Sequence, residues 1–380
     1  MKKIIIKKRI VKPFYFDLDK VERKNLLKKI SKIFESSQLI LGDETKKFEN
    51  AFANFVGTKY SIAVNSGTTA LQILLMTNIK KKNSLVAVQT NTNFATVASI
   101  LYSGGKPLYL DMDEKYFAPK YDDICKSYKK FKFKGIVWVH IGGIISPDFI
   151  KVKNFCKNKN IFLIEDCAHA HGSSLNGTHA GSISDGGAFS FFPTKVMTTM
   201  EGGMITTNSL SVYKKAISLR NQGKREGNFG GLHQDLGNSW RISEVAASLG
   251  SSQLKKLERM IYKRKKIFEI YSKVFNKNKI TYCKINHMDN CSNYKMIVFA
   301  KNIKHKKILK KKLFDLGVIC GGEVYEIPCH KQPVFQKLIK KKISLKISEK
   351  FCPIHFCPPI TSGMTHKEAL YCAQMIAKVY

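Results

Sequence analysis

Acidic residues are scarce in this sequence: 28 Asp and Glu stand against 65 Lys and Arg, a formal net charge of +37. Such an imbalance ordinarily points to a polyanionic partner, nucleic acid or an anionic membrane surface. Arginine is scarcer still, at 7 of those 65 cations, although it is the residue favoured for bidentate base and phosphate contacts. The chain is also rich in Ile and Asn, so AT-rich codon usage accounts for the lysine excess more simply than a nucleic-acid surface does. Long apolar runs are missing as well. No stretch approaches the roughly 18 residues of a membrane-spanning helix. The basic start, Met1-Lys2-Lys3-Ile4-Ile5-Ile6-Lys7-Lys8-Arg9, has a short apolar run where a secretory signal needs about 7 to 15 residues. A cytoplasmic protein is expected, and its 10 cysteines suggest no disulfide framework in a chain of 380 residues. With only 10 Pro and 25 Gly beside 44% apolar residues, the composition is that of a globular protein with one large or two modest domains.

What is there centres on Gly187-Ala188-Phe189-Ser190-Phe191-Phe192-Pro193-Thr194-Lys195, followed by Glu201-Gly202-Gly203-Met204. A short aromatic strand meets Pro193, and Lys195 is left just beyond the turn, before a second strand over 204–207. A lysine is ordinarily a solvated surface charge. One held at a strand end among apolar and hydroxylic residues can instead have its pKa depressed by burial, becoming a Schiff-base nucleophile and proton shuttle. Upstream, Ile161-Phe162-Leu163-Ile164-Glu165-Asp166 reads as a buried parallel strand with a carboxylate at its C-terminal end, where open α/β sheets place ligands. An Asp at a strand end is also a common turn or N-cap residue. A buried carboxylate facing a protonated pyridine nitrogen is, however, the partner that makes pyridoxal phosphate an electron sink. Further upstream, Val64-Asn65-Ser66-Gly67-Thr68-Thr69 is a strand, a small polar turn and a helix start. Free N–H groups and the helix dipole suit such a turn to a phosphate. In this order the three stretches describe one cofactor.

The chain around them alternates. Strands are expected over 62–64, 85–88, 107–110, 136–140 and 161–164, with helices over 69–76, 95–102 and 149–156 between them. That is a doubly wound, mostly parallel sheet of the α/β class. Amphipathic helices over 21–34 and 48–55 precede it. A large domain over 1–254 and a smaller C-terminal α+β domain over 255–380 are expected, the latter with strands over 282–285, 294–299 and 317–320 and a helix over 306–316.

These blocks, with Leu219-Arg220-Asn221-Gln222-Gly223 and Pro328-Cys329-His330-Lys331-Gln332-Pro333, resemble the DegT/DnrJ type of sugar aminotransferases, within fold-type I pyridoxal phosphate enzymes. The resemblance runs from about Phe16 to the C-terminus. It implies that Lys195 binds the cofactor covalently and that Asp166 pairs with the ring nitrogen. It also implies that Ser190, Gly67 and Thr68 bind the phosphate, with His169 standing beside the ring where the family usually has Gln. Members with His in place of the lysine act as dehydratases, so Lys195 argues for transamination. Asn93 falls where an aromatic residue usually stacks on the ring, unless Phe94 substitutes after a local shift. Ser239 falls where the family's Asn reaches the phosphate across a dimer interface, with Asn238 adjacent. Tyr325 and His330 belong by resemblance to the loop that closes over the amino-acceptor site.

Other chemistry-bearing groups read more plainly. Asp111 and Asp113 are taken as a turn, and His140 as a hydrogen-bonded structural histidine that lines the site only on a second reading. Cys329, His330, Cys352, His355 and Cys357 lack zinc spacing, so no metal is expected. The activity implied is pyridoxal phosphate-dependent transfer of an amino group from an amino acid, L-glutamate or L-glutamine, to a nucleotide-linked keto-sugar. It would be carried out by a homodimer with shared active sites, without a membrane or nucleic-acid partner. The alternatives are a transaminase for another cyclic ketone, or a catalytically inactive binding or regulatory protein on the same fold.

Overall fold

The computed structural model describes residues 10–224, 231–339 and 343–380, so the basic start lies outside it. Two amphipathic helices come first. In α1 (Lys20–Ser36), Asp19 accepts from Glu22 N at 2.8 Å while the Glu22 carboxylate accepts from Asp19 N at 2.9 Å, a capping box that meets two of the unpaired donors at a helix start. Helix α2 (Asp43–Val56) buries Phe48, Phe52 and Val56 on one face and stops at Gly57, whose φ of 80° suits glycine.

The main sheet contains β1 (Tyr60–Val64), β2 (Leu85–Gln89), β3 (Lys106–Leu110), β4 (Gly135–Val139), β5 (Phe162–Asp166), β8 (Gly186–Ser190) and β9 (Gly203–Thr207). A two-residue hairpin, β6 (Ser174–Leu175) with β7 (Thr178–His179), lies apart from it. The spatial order is β1-β9-β8-β5-β4-β2-β3, and β9 alone runs against the rest. Helices α3 (Gly67–Asn78), α4 (Phe94–Tyr102), α5 (Tyr121–Phe131), α6 (Phe149–Lys159) and α7 (Leu210–Arg220) are interspersed along the chain.

Period-2 alternation sorts each strand's side chains between two cores. Ala63, Ala87, Ile136, Trp138 and Leu163 join the cluster containing Phe48, Phe52 and Phe149. Ile62, Val64, Val86, Val88, Val137 and Ile164 join the cluster built on α3 and α4. Both faces are covered, as the apolar runs of a parallel sheet require. Each buried Val, Ile or Leu among them contributes roughly 1.5–3 kcal/mol relative to exposure.

Helices α8 (Glu244–Leu254) and α9 (Leu257–Lys277) lead into a third core with α10 (Ile303–Asp315) and the helix His366–Val379. The strands expected there are shorter in the structure. Val298–Phe299 pairs with His355–Phe356, while Tyr282 and Val318 make only isolated bridges. Val11 pairs with Val318 and is buried in this third core, so the chain's first described segment packs against the C-terminal unit.

A buried carboxylate ties α8 to α2. Glu244, 2% exposed, accepts from Gly42 N and Glu44 N at 2.8 Å, from Thr45 N at 3.1 Å, and from the Thr45 hydroxyl. It thereby satisfies the N-terminus of α2 from another helix. Glu244→Leu should leave those donors unpaired and cost about 2–4 kcal/mol, read as a lowered denaturant midpoint with an unchanged slope.

Candidate active site

The sheet's carboxyl edge carries a hollow of about 450 Å3, and Gly67, Thr68, Asn93, Asp166, Ser190, Lys195 and Tyr325 all line it. A larger hollow of about 870 Å3 is lined by Ser84, Lys134 and Phe162. It lies at the amino ends of the strands, away from where parallel sheets present ligand-binding loops.

Asp166 closes β5 and is 4% exposed. Its Oδ2 accepts from Thr96 Oγ1 at 2.8 Å and its Oδ1 from Ala168 N at 3.1 Å. Burial raises its pKa, against the downward pull of those two hydrogen bonds and of Lys195. Among the described residues it forms no ion pair, so a desolvated carboxylate faces the hollow without a cation in contact. Thr96, in the first turns of α4, carries no signal of its own in the sequence.

Lys195 follows β8 through a turn in which its N–H donates to Phe192 O at 2.9 Å. Its Nζ lies 5.0 Å from the centroid of Tyr294, a ring that no sequence signal singled out. The Tyr294 hydroxyl is 3.2 Å from Thr194 Oγ1. Burial alone would raise its pKa, but Lys195 and Lys295 draw it below the usual phenol value.

The other end of the hollow is the start of α3. Ser66 caps the helix by accepting from Thr69 N at 3.1 Å, and Gly67 and Thr68 form its first turn. The fit there is close: a Cβ on Gly67 would lie 2.6 Å from Ser190 Cβ. A helix N-terminus with hydroxyls beside it and no side chain in the way suits a phosphate.

Asn93 lines the hollow and caps α4, accepting from Ala95 N at 2.9 Å. Phe94 points elsewhere, stacked on Phe335 at 5.4 Å and half-exposed. His169 stands one layer back, 4.2 Å from the Tyr294 ring, with Nε2 3.2 Å from the Tyr325 hydroxyl. Ser239 is exposed, held by Arg241 Nη2 at 3.1 Å, and is not part of this chain's hollow. His140 is fully buried against Glu165 at 3.0 Å, a carboxylate that also takes the N–H groups of Gly181, Ile183 and Ser184. It serves the loop leading into β8.

His330 does not line the hollow either. Its Nδ1 meets Thr90 Oγ1 at 2.7 Å and its Nε2 meets Glu349 Oε1 at 3.0 Å, so it clamps the loop after β2 to the C-terminal unit. The Leu345 N–H, aided by His330 and Lys331, holds the Glu349 carboxyl down to about 2. Because that pKa is depressed on folding, the clamp's stabilisation is present above the usual carboxylate range and is lost as pH falls toward about 2. His330→Ala should cost about 1–3 kcal/mol near neutrality and flatten that acid dependence, as followed by thermal unfolding across pH.

A sequence profile of the DegT/DnrJ/EryC1/StrS aminotransferase family matches residues 20–377. GDP-perosamine synthase of Escherichia coli is 28% identical, over 89% of this chain and 91% of its own length. UDP-4-amino-4,6-dideoxy-N-acetyl-beta-L-altrosamine transaminase of Campylobacter jejuni is 30% identical, over 90% of this chain and 91% of its own. Among solved structures, Helicobacter pylori PseC, an aminotransferase involved in the biosynthesis of pseudoaminic acid, superposes with a TM-score of 0.87 at 25% identity, covering 97% of this chain and 99% of its own. Since the profile runs through every strand of the sheet and on through the C-terminal unit, this chain belongs to the DegT/DnrJ/EryC1/StrS aminotransferase family.

Proposed function

We propose that this aminotransferase binds pyridoxal phosphate in the hollow and moves an amino group from an amino acid, L-glutamate in the first instance, to a nucleotide-linked keto-sugar in amino-sugar and surface polysaccharide biosynthesis. The observation that carries the reading is the convergence of Asp166, Lys195 and the α3 N-terminus on one hollow. When bound, pyridoxal phosphate supplies an electron sink for charge developing on the substrate carbon.

The chain's own groups divide the remaining work. The first turn of α3 and the Ser190 hydroxyl offer neutral donors and a dipole to a phosphate. Asp166, short of a cation and stripped of water, favours a protonated nitrogen against its carboxylate. Lys195 Nζ is the amine that would hold the cofactor, and once released it would take the proton from the donor's α-carbon and deliver it to the cofactor's carbonyl-derived carbon, the transfer that lets the amino group move.

Relatives named for GDP- and UDP-linked sugars support a nucleotide-sugar acceptor. A second copy of the chain is proposed to bring Ser239 to the partner's phosphate site, in keeping with the exposure of Ser239 here.

The first test is spectroscopic. Purified protein given pyridoxal phosphate should acquire the visible absorbance of the bound cofactor, lose it on addition of L-glutamate, and regain it with a keto acceptor. Lys195→Ala should show neither the band nor turnover, and a wild type without the band would overturn the proposal. Gly67→Val should keep its circular dichroism yet bind the cofactor at least about 10-fold more weakly, because the added side chain meets Ser190 where a phosphate would sit.

A further inference from the structure

The two lysines buried outright, Lys256 and Lys306, each meet a carboxylate: Lys256 that of Asp17 and of Glu22, Lys306 that of Glu326. Lys295 is half-buried and, among the described residues, forms no ion pair. Partial loss of water raises the free energy of its ammonium, and no opposite charge within the described residues offsets that cost. Such a cation is stabilised by an anion brought to it from outside the chain.

The fold puts this charge beside the site. Lys295 Nζ lies over the ring of Tyr294, 5.5 Å from its centroid, and reaches the backbone of Gly321, where a Cβ would stand 2.5 Å from the ammonium. Glycine at 321 therefore leaves room for the charge. Lys195 Nζ stands 5.0 Å from the centroid of the same ring. The two amines are thus no farther apart than those two distances laid end to end. Beneath them His169 stacks on Tyr294 at 4.2 Å. Burial first, then Lys195 and Lys295, hold the His169 pKa well below its ordinary value, so the imidazole is neutral and adds no further charge beside Lys295.

We infer that Lys295 binds the α-carboxylate of the amino donor, an inference that rests on the aminotransferase reading and names the substrate group this side chain takes. Both amines stand on one ring, so an anion suited to Lys295 must lie close to the carbon on which Lys195 works. In an α-amino acid the carboxylate is bonded directly to that carbon. In a nucleotide-linked sugar the diphosphate is separated from the carbonyl by part of the sugar ring, which takes it farther from Lys195. A carboxylate held at Lys295 also fixes rotation about its bond to the α-carbon, and so presents the α-proton to Lys195. The ammonium is a compact charge with three rotatable donors, suited to a carboxylate that must be released again after each turnover.

The full-length protein, loaded with pyridoxal phosphate, is titrated with L-glutamate and with L-isoglutamine, in which an amide replaces the α-carboxylate, while the visible band is followed. UDP binding is measured alongside by calorimetry. Wild type should respond to glutamate at concentrations about 10- to 100-fold lower than to isoglutamine, the size expected of a hydrogen bond between charged groups. Lys295→Met should lose that preference, responding to glutamate about 10- to 100-fold more weakly while isoglutamine, UDP and cofactor uptake stay within about 2-fold. Lys295→Gln carries the same expectation and guards against a folding defect in Lys295→Met, with circular dichroism as the check on both. Lys295→Arg, which keeps the charge, should retain most of the preference. A wild type that treats the two donors alike, or an uncharged variant that keeps the preference, overturns the inference while the functional reading stands. Weakened UDP binding with an unchanged glutamate response assigns Lys295 to a diphosphate and overturns it equally. A wild type that takes up no pyridoxal phosphate overturns the functional reading and this inference with it.

Discussion

Asp166 sits at the end of a strand buried on both faces, and the loss of water there raises the free energy of its charged form. Two short hydrogen bonds, from Thr96 and Ala168, offset part of that cost without supplying a positive charge. A carboxylate in this condition is stabilised most by a cation brought to it, which is what a protonated pyridine offers. The neighbouring strands set what stands around it. Asp166 pairs in register with Ala188 of β8, so the end of that strand and the turn carrying Lys195 come to the same edge. Sheet order and strand polarity, more than any single contact, assemble the site.

Side-chain alternation then decides which groups face the hollow. Phe189 and Phe191 are pinned on the α2 side of the sheet, with Phe189 4.9 Å from Phe52 and Phe191 5.3 Å from Phe48. Ser190, lying between them, is turned to the opposite face and so toward Gly67. An aromatic cluster on one side of the sheet thereby fixes a hydroxyl on the other. The same strand explains the turn at Pro193, since the backbone must leave the sheet before Lys195 can reach over its edge.

The elements with strong periodicity were legible in the sequence, because burying both faces of a parallel strand demands a continuous apolar run. Helix α5 was passed over although Tyr121, Ile124, Tyr128 and Phe131 recur at helical spacing between its lysines and aspartates; of these only Ile124 is fully buried. The C-terminal strands were expected too long because their apolar residues serve a helical core, with only two-residue pairing left to the backbone. In the site, motif order brought Gly67, Thr68, Asn93, Asp166, Ser190 and Lys195 into view. Thr96, Tyr294 and the clamp formed by His330 escaped, since each acts through a neighbour remote in sequence.

By itself the sequence determined the class of fold, and it singled out the lysine, the carboxylate and the polar turn that line the hollow. Each of these is encoded locally, in apolar period, turn chemistry and residue type. Only the tertiary structure decided that His330 binds Thr90 and Glu349 instead of facing the hollow, that Phe94 turns away, and that His169 meets Tyr325. Hydrogen-bond direction depends on the partner at each end, and those partners lie on segments more than 150 residues apart in the case of His169 and Tyr325. No local pattern can carry that information, because it exists only once the loops of the C-terminal unit have closed over the sheet edge.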